Sequence, residues 1–125
     1  MIRDGLFLAS AALMALTLWM VFFWVPTEAS LGVSQRIFYF HVPIAILALS
    51  SIIVVAIASI THLITRGQRS DDLAYSAAEL GAVLATLAIV TGATWAKPVW
   101  GVWWTWDPKL TLTLLLWFIY SGYLM

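Results

Sequence analysis

From about Pro43 to Thr65 the chain runs without a single Asp, Glu, Lys or Arg. A run of about 20 apolar residues is what an α-helix needs to cross ~30 Å of hydrocarbon. Three other stretches read the same way, over about residues 5–25, 73–95 and 108–125. Backbone polar groups find no water in lipid, so a spanning segment must satisfy them as a helix or a closed barrel. Runs this long select the helix. The expected fold is therefore all-α, a polytopic transmembrane helical bundle with four spans, in which residues 1–125 form one integral membrane domain. Charge content agrees: 10% of the residues are charged, against about 25% in a soluble domain. The lipid bilayer is thus the solvent of this chain.

The first span has a rival reading as a cleaved signal peptide. Its basic flank is weak, with Arg3 offset at once by Asp4, and its apolar run exceeds the 7–15 residues of a signal, which favours a retained helix. From Lys109 onward the fourth segment reaches only ~25 Å at ~1.5 Å per residue. A chain ending inside its last span reads as a fragment, or as part of a larger bundle. The connection "RGQRSDD" offers Gly67 as a helix stop and Ser70 or Asp71 as a start. The third span carries Ala74, Ala78 and Ala82 on one row and Ala77, Gly81 and Ala85 on the next, small residues that let membrane helices approach closely. Short loops predict that sequential helices are antiparallel neighbours.

Parity puts the loops over about 26–42 and 96–107 on one side of the membrane. Charge does not say which side, because Arg3, Arg66 and Arg69 balance Arg36, Lys97 and Lys109. The net charge of zero argues against a nucleic-acid partner, which needs a basic face. The absence of cysteine removes disulfides and thiolate chemistry, leaving His, carboxylates or a bound cofactor for any metal.

Two segments on the shared side stand out. Trp95, Trp100, Trp103, Trp104 and Trp106 fall within twelve residues. Trp favours the membrane–water interface, but five exceed what anchoring requires. Pro98 and Gly101 predict a break from the third helix and a shallow shelf suited to a planar apolar ligand. Arg36, Lys97 and Lys109 stand ready to pair with acidic groups at the rim of such a ligand. Asp107 before Pro108 reads as an N-cap, and Thr111 and Thr113 as back-bonding hydroxyls. His41, in "RIFYFHVP", is either an interfacial histidine within a belt of Phe38, Tyr39 and Phe40 or a ligand to a metal or haem iron. Towards the opposite side, Glu79 lies in the third span with His62 as a possible partner, and both read as structural or partner contacts.

The stretch "TWAKPVWGVWWTWDPKLT" resembles the WWD signature of haem-handling membrane proteins. "QRIFYFHVP" is similar to the segment holding the first ligand histidine in one branch, the haem exporter protein C family of the system I cytochrome c maturation machinery. The resemblance covers nearly the whole chain. It implies haem b on the tryptophan loop with His41 on the iron, and contacts from Trp95, Trp100, Trp103, Trp104, Trp106, Asp107, Arg36, Lys97 and Lys109. It implies a bacterial inner-membrane protein with this loop on the periplasmic side. It implies no enzymatic chemistry, and partners in a membrane-anchored haem chaperone, a small membrane subunit and an ABC-type ATPase complex. Two departures stand out. The family has six spans with a second ligand histidine after the fifth, which these residues do not include, and Lys109 stands where an arginine is usual. The rival readings are a fragment of a related cytochrome c synthetase and a non-haem permease subunit.

Overall fold

The structure is a computed structural model that describes residues 2–125. It is helical throughout, with α1 at Ile2–Trp19, α2 at Phe38–Thr65, α3 at Gln68–Trp100 and α4 at Pro108–Leu124. A π-helical turn, Met20–Trp24, extends α1, and a 3-10 turn, Val33–Ile37, leads into α2. Three helical segments are long and apolar enough to cross a membrane: Ile2–Trp24, Val33–Thr65 and Gln68–Trp100. The protein is an integral membrane helical bundle. The fourth helix has 17 residues and falls short of the length of the other three.

The third helix departs from the sequence expectation at Pro98; at Pro43, where the sequence allows either a helix start or a longer helix from Ser34, the longer helix is found. The second helix begins at Phe38, ahead of Pro43, and the third continues through Pro98 to Trp100. A proline costs a helix most when it removes a bond deep in the interior. Pro43 stands in the second turn and Pro98 in the last; each forfeits one N–H bond to the carbonyl four residues back, a loss that membrane helices tolerate through neighbouring helices and local adjustment. It is Gly101 that stops α3: it adopts the left-handed conformation at φ 78°, and its N–H donates to the Lys97 carbonyl at 3.0 Å. That is the αL cap that glycine takes without a Cβ penalty. The loops therefore shrink to residues 25–32 and 101–107.

The turn between α2 and α3 also departs from expectation. Gly67 does not stop α2. Arg66 takes the left-handed position at φ 53°, and Gly67 becomes the extended N-cap of α3, which starts before Ser70. Side chains hold this turn: His62 Nδ1 donates to the Gly67 carbonyl at 3.1 Å, and the Gly67 N–H donates to Thr65 Oγ1 at 3.2 Å. His62 is thus occupied locally rather than paired with Glu79, whose side chain is exposed.

The core is a seam of small residues. Ala74, Ala78, Gly81, Ala85, Ala88 and Ala96 are buried on α3 and meet Ala48, Ser51 and Ala58 of α2. Close backbone approach replaces the hydrophobic drive that lipid does not supply. The two i+4 rows read from sequence each contribute part of this seam, while Ala77 and Ala82 are only half-buried. A row of i+4 residues advances ~40° per step on a 3.6-residue helix, so a straight contact line must mix steps of three and four.

The last helix joins this seam through Tyr120, which is 2% exposed. Its hydroxyl donates to the Ala48 carbonyl at 3.1 Å and lies against the Ser51 hydroxyl, which itself donates to Ala48 O at 2.7 Å. Trp117 Nε1 donates to Thr86 Oγ1 at 2.7 Å, a second tie between α3 and α4. By contrast, α1 buries none of its residues, so it is not the packed neighbour that short loops suggested. Beyond Arg3 and Asp4 in its first turn its surface is largely apolar, and lipid solvates it without packing against the bundle. Its π-helical extension does make contact: Val21 is buried, and Phe22 stacks on Phe40 with centroids 6.4 Å apart.

Candidate functional site

Helix α3 has 33 residues and is about 50 Å long, well beyond the ~30 Å hydrocarbon core. Its last turns therefore carry Trp95, Lys97 and Trp100 into the interface. They meet the start of α2 there: Trp95 packs edge-on against Phe38 at 4.9 Å and against Trp100 at 5.3 Å. Parity of the two loops is thus realised as a contact. In the loop beyond Gly101, Trp104 and Trp106 pack edge-to-face at 5.9 Å. Trp100, Trp103 and Trp106 are more than half exposed, so broad apolar ring surface faces outward.

Each cation expected at the site has a defined seat. Lys97 Nζ donates to the Gly101 carbonyl at 3.0 Å and lies 5.9 Å from the centroid of the Trp103 ring. Arg36 lies 5.9 Å from the Phe22 ring centroid. Lys109, in the first turn of α4, is exposed and close enough to act electrostatically on His41.

Asp107 caps α4 as its place before Pro108 predicts. It accepts from the Leu110 N–H at 3.0 Å and from the Thr105 hydroxyl at 2.6 Å. The Thr105 bond, then the Leu110 N–H, hold its carboxyl below the usual carboxylate range. A carboxylate with a depressed folded pKa stabilises the fold above its unfolded pKa and loses that effect as pH falls through the folded value. The near-UV circular dichroism of the tryptophan loop is therefore expected to hold from pH 8 to about pH 5 and to change only below the ordinary aspartate pKa of ~3.9. Asp107→Asn, which keeps an acceptor oxygen, should remove that acid transition; its survival in this variant refutes the assignment. Thr113 back-bonds to the Lys109 carbonyl at 2.9 Å, whereas the Thr111 side chain has no such bond among the described residues.

His41 stands in the first turn of α2, half-buried against α3. Its Nδ1 is 2.9 Å from Thr91 Oγ1. A Cβ placed on Gly92 would come within 3.0 Å of its Cε1, so the ring lies against bare backbone. No ring contact joins His41 to a tryptophan among the described residues. Thr91 and Gly92 were missed from sequence. The available signal was Gly92 itself, since a helical glycine costs about 1 kcal/mol against alanine and needs a packing reason.

Two open grooves flank this end. One, of about 460 Å³, is lined by Ile89, Trp104, Trp106 and Leu114. The other, of about 400 Å³, includes Phe22, Arg36, Phe40 and Thr94 in its lining. Beside them lie donors with no partner among the described residues: Arg36 Nε, Trp95 Nε1 and Trp104 Nε1, all buried. Buried donors are almost always satisfied, so these unpaired N–H groups mark this end of the bundle. Among the described residues no three His or carboxylate side chains gather. The single imidazole suits an iron whose other positions are filled by a macrocycle of its own. The donor set, aromatic faces and free N–H groups fit haem.

The sequence profile of the family described as Heme exporter protein C matches residues 2–125. Heme exporter protein C of Rhodobacter capsulatus is 42% identical over 103 residues, which are 82% of this chain and 43% of that protein. The Paracoccus denitrificans protein of the same name is 39% identical over 102 residues, 82% of this chain and 42% of that one. That of Escherichia coli K12 is 38% identical over 117 residues, covering 92% and 48%. The chain spans about half the length of these curated relatives.

Proposed function

The chain belongs to the haem exporter protein C family, and from that premise we propose that it holds haem as cargo at its tryptophan end during cytochrome c maturation. His41 supplies one axial bond to the iron. Trp95, Trp100, Trp103, Trp104 and Trp106 provide the apolar shelf, and Arg36, Lys97 and Lys109 take the propionates. Asp107 keeps the loop in shape by capping α4. The chain makes and breaks no covalent bonds in this role, so it is a transporter subunit rather than an enzyme. It presents haem b on the periplasmic face of the bacterial inner membrane. There it hands the cargo to a membrane-anchored haem chaperone, assisted by a small membrane subunit and an ABC-type ATPase complex. Holding by one imidazole and stacked rings makes the cargo releasable.

The observation that carries this reading is the junction of an α2 imidazole with an α3 aromatic end that leaves indole N–H groups without partners. Purification from haem-replete cells tests it. A Soret band that copurifies with the folded protein is expected, and a folded sample without one refutes haem binding.

A further inference from the structure

The His41 ring meets Ala88, Thr91 and Gly92 on one stretch of α3: the Ala88 backbone carbonyl is an acceptor beside it, and the adjacent Thr91 and Gly92 do different things. Thr91 meets a ring nitrogen, while Gly92 lets the ring edge approach the helix backbone. The direction of the Thr91 bond can be worked out. A hydroxyl has one proton to give. Thr91 Oγ1 lies 2.7 Å from the Leu87 carbonyl one turn back, with the Ala88 carbonyl at 3.3 Å. A carbonyl oxygen cannot donate, so in the Leu87 pairing it is Thr91 that gives its proton. Towards His41 the hydroxyl is left with lone pairs only. With the Thr91 proton so directed, it is His41 Nδ1 that carries the hydrogen of the 2.9 Å contact. In a neutral imidazole that leaves the Nε2 lone pair free.

We propose that Thr91 is a positioning residue for the haem site: it locks His41 as the Nδ1–H tautomer so that Nε2 is the nitrogen presented to iron, and Gly92 gives the ring room to take that pose. This rests on the proposed role of His41 as an axial ligand. The physical need is general. A metal-bound histidine almost always donates its other ring N–H to a fixed acceptor, and losing that acceptor typically costs 10–100-fold in metal affinity or activity. Free histidine in water prefers the opposite tautomer, so the hydroxyl works against the default. Because the Thr91 proton is already committed within α3, the acceptor is set before any ligand arrives.

The test uses the full chain in detergent, with ¹⁵N-labelled histidine and no haem added. The chain holds two histidines, and a His62→Gln variant assigns the His41 signals. The ring-nitrogen shifts are expected to report Nδ1–H in the wild type and in Thr91→Ser, and a move to Nε2–H in Thr91→Val. After loading with haem, Thr91→Val should lose affinity about 10–100-fold with a shifted reduction potential, while Thr91→Ser stays near wild type. A wild-type His41 in the Nε2–H form, or one unmoved in Thr91→Val, overturns the inference. So does an altered tautomer with unchanged haem affinity. A Thr91-dependent Nδ1–H tautomer in a protein that takes up no haem upholds the hold on the ring and overturns the haem reading instead. Gly92→Ala gives a second arm: a folded variant in which the His41 signals do not move contradicts the role given to Gly92.

Discussion

Replacing His41 by alanine is expected to lower haem retention of the purified protein by more than tenfold, the scale on which even an outer-shell partner acts (about 10–100-fold). No other imidazole among the described residues can take its place. His62 lies 21 residues further along α2, roughly 31 Å at 1.5 Å per residue, and its Nδ1 is bonded into the α2–α3 turn. The tryptophan shelf and the cations remain in the variant, so residual binding should be weak, apolar and spectrally unlike the imidazole-bound form. Free imidazole in the buffer should restore part of the band, because the half-buried cradle at Thr91 and Gly92 survives the truncation. The absorption spectrum per mole of protein is the measurement. A spectrum and retention equal to wild type remove His41 as a ligand.

Gly81→Ala is expected to destabilise the bundle by about 1–3 kcal/mol, the usual cost of forcing atoms into a packed core. An added Cβ would sit 2.5 Å from Ser51 Oγ and 2.6 Å from Tyr120 Cζ. These neighbours are not flexible ends that can swing aside. The serine is tied to the Ala48 carbonyl at 2.7 Å, and the tyrosine ring is held by its hydroxyl to the same carbonyl. Alanine gains about 1 kcal/mol in helix propensity over glycine, which offsets part of the clash but leaves the sign unchanged. Gly81→Leu should exclude α4 from the seam altogether. Unfolding in a denaturing detergent, followed through Trp117, measures both. Combining Gly81→Ala with Tyr120→Ala should cost less than the sum of the two single changes, because the clash with the Tyr120 ring is gone while that with Ser51 remains. A Gly81→Ala protein as stable as wild type shows that the three helices do not meet as described.

Much of this bundle is legible in the sequence because lipid leaves few options. Apolar length gives the helices, Gly101 gives a stop, and Asp107 with Pro108 gives a start. Pro98 misled because a membrane helix can absorb a lost N–H bond through its neighbours and local adjustment, which sequence does not record. The α2–α3 turn misled because the left-handed position fell to Arg66, with His62 and Thr65 side chains bonding the following glycine. The tryptophans and cations were recognisable as a group by their density. Thr91 was not, since its link to His41 joins residues 50 positions apart and only the packed interface brings them together. For the same reason the seam was half-read: both rows of small residues were visible, but the line of contact across them belongs to the pair of helices.

The turn at Arg66 and Gly67 bears on how the protein assembles. Only two residues separate α2 from α3, so the entropy of bringing these helices together is small, and contacts near the turn form locally. Such contacts form fast, while those needing distant chain segments come later. The hairpin of α2 and α3 can therefore zip from Arg66 and Gly67 along the alanine seam before α4 docks and independently of α1. His41, Thr91 and Gly92 all lie within that hairpin, at its far end. In a zipper that starts at the turn, the imidazole cradle is the part of the hairpin furthest from its origin.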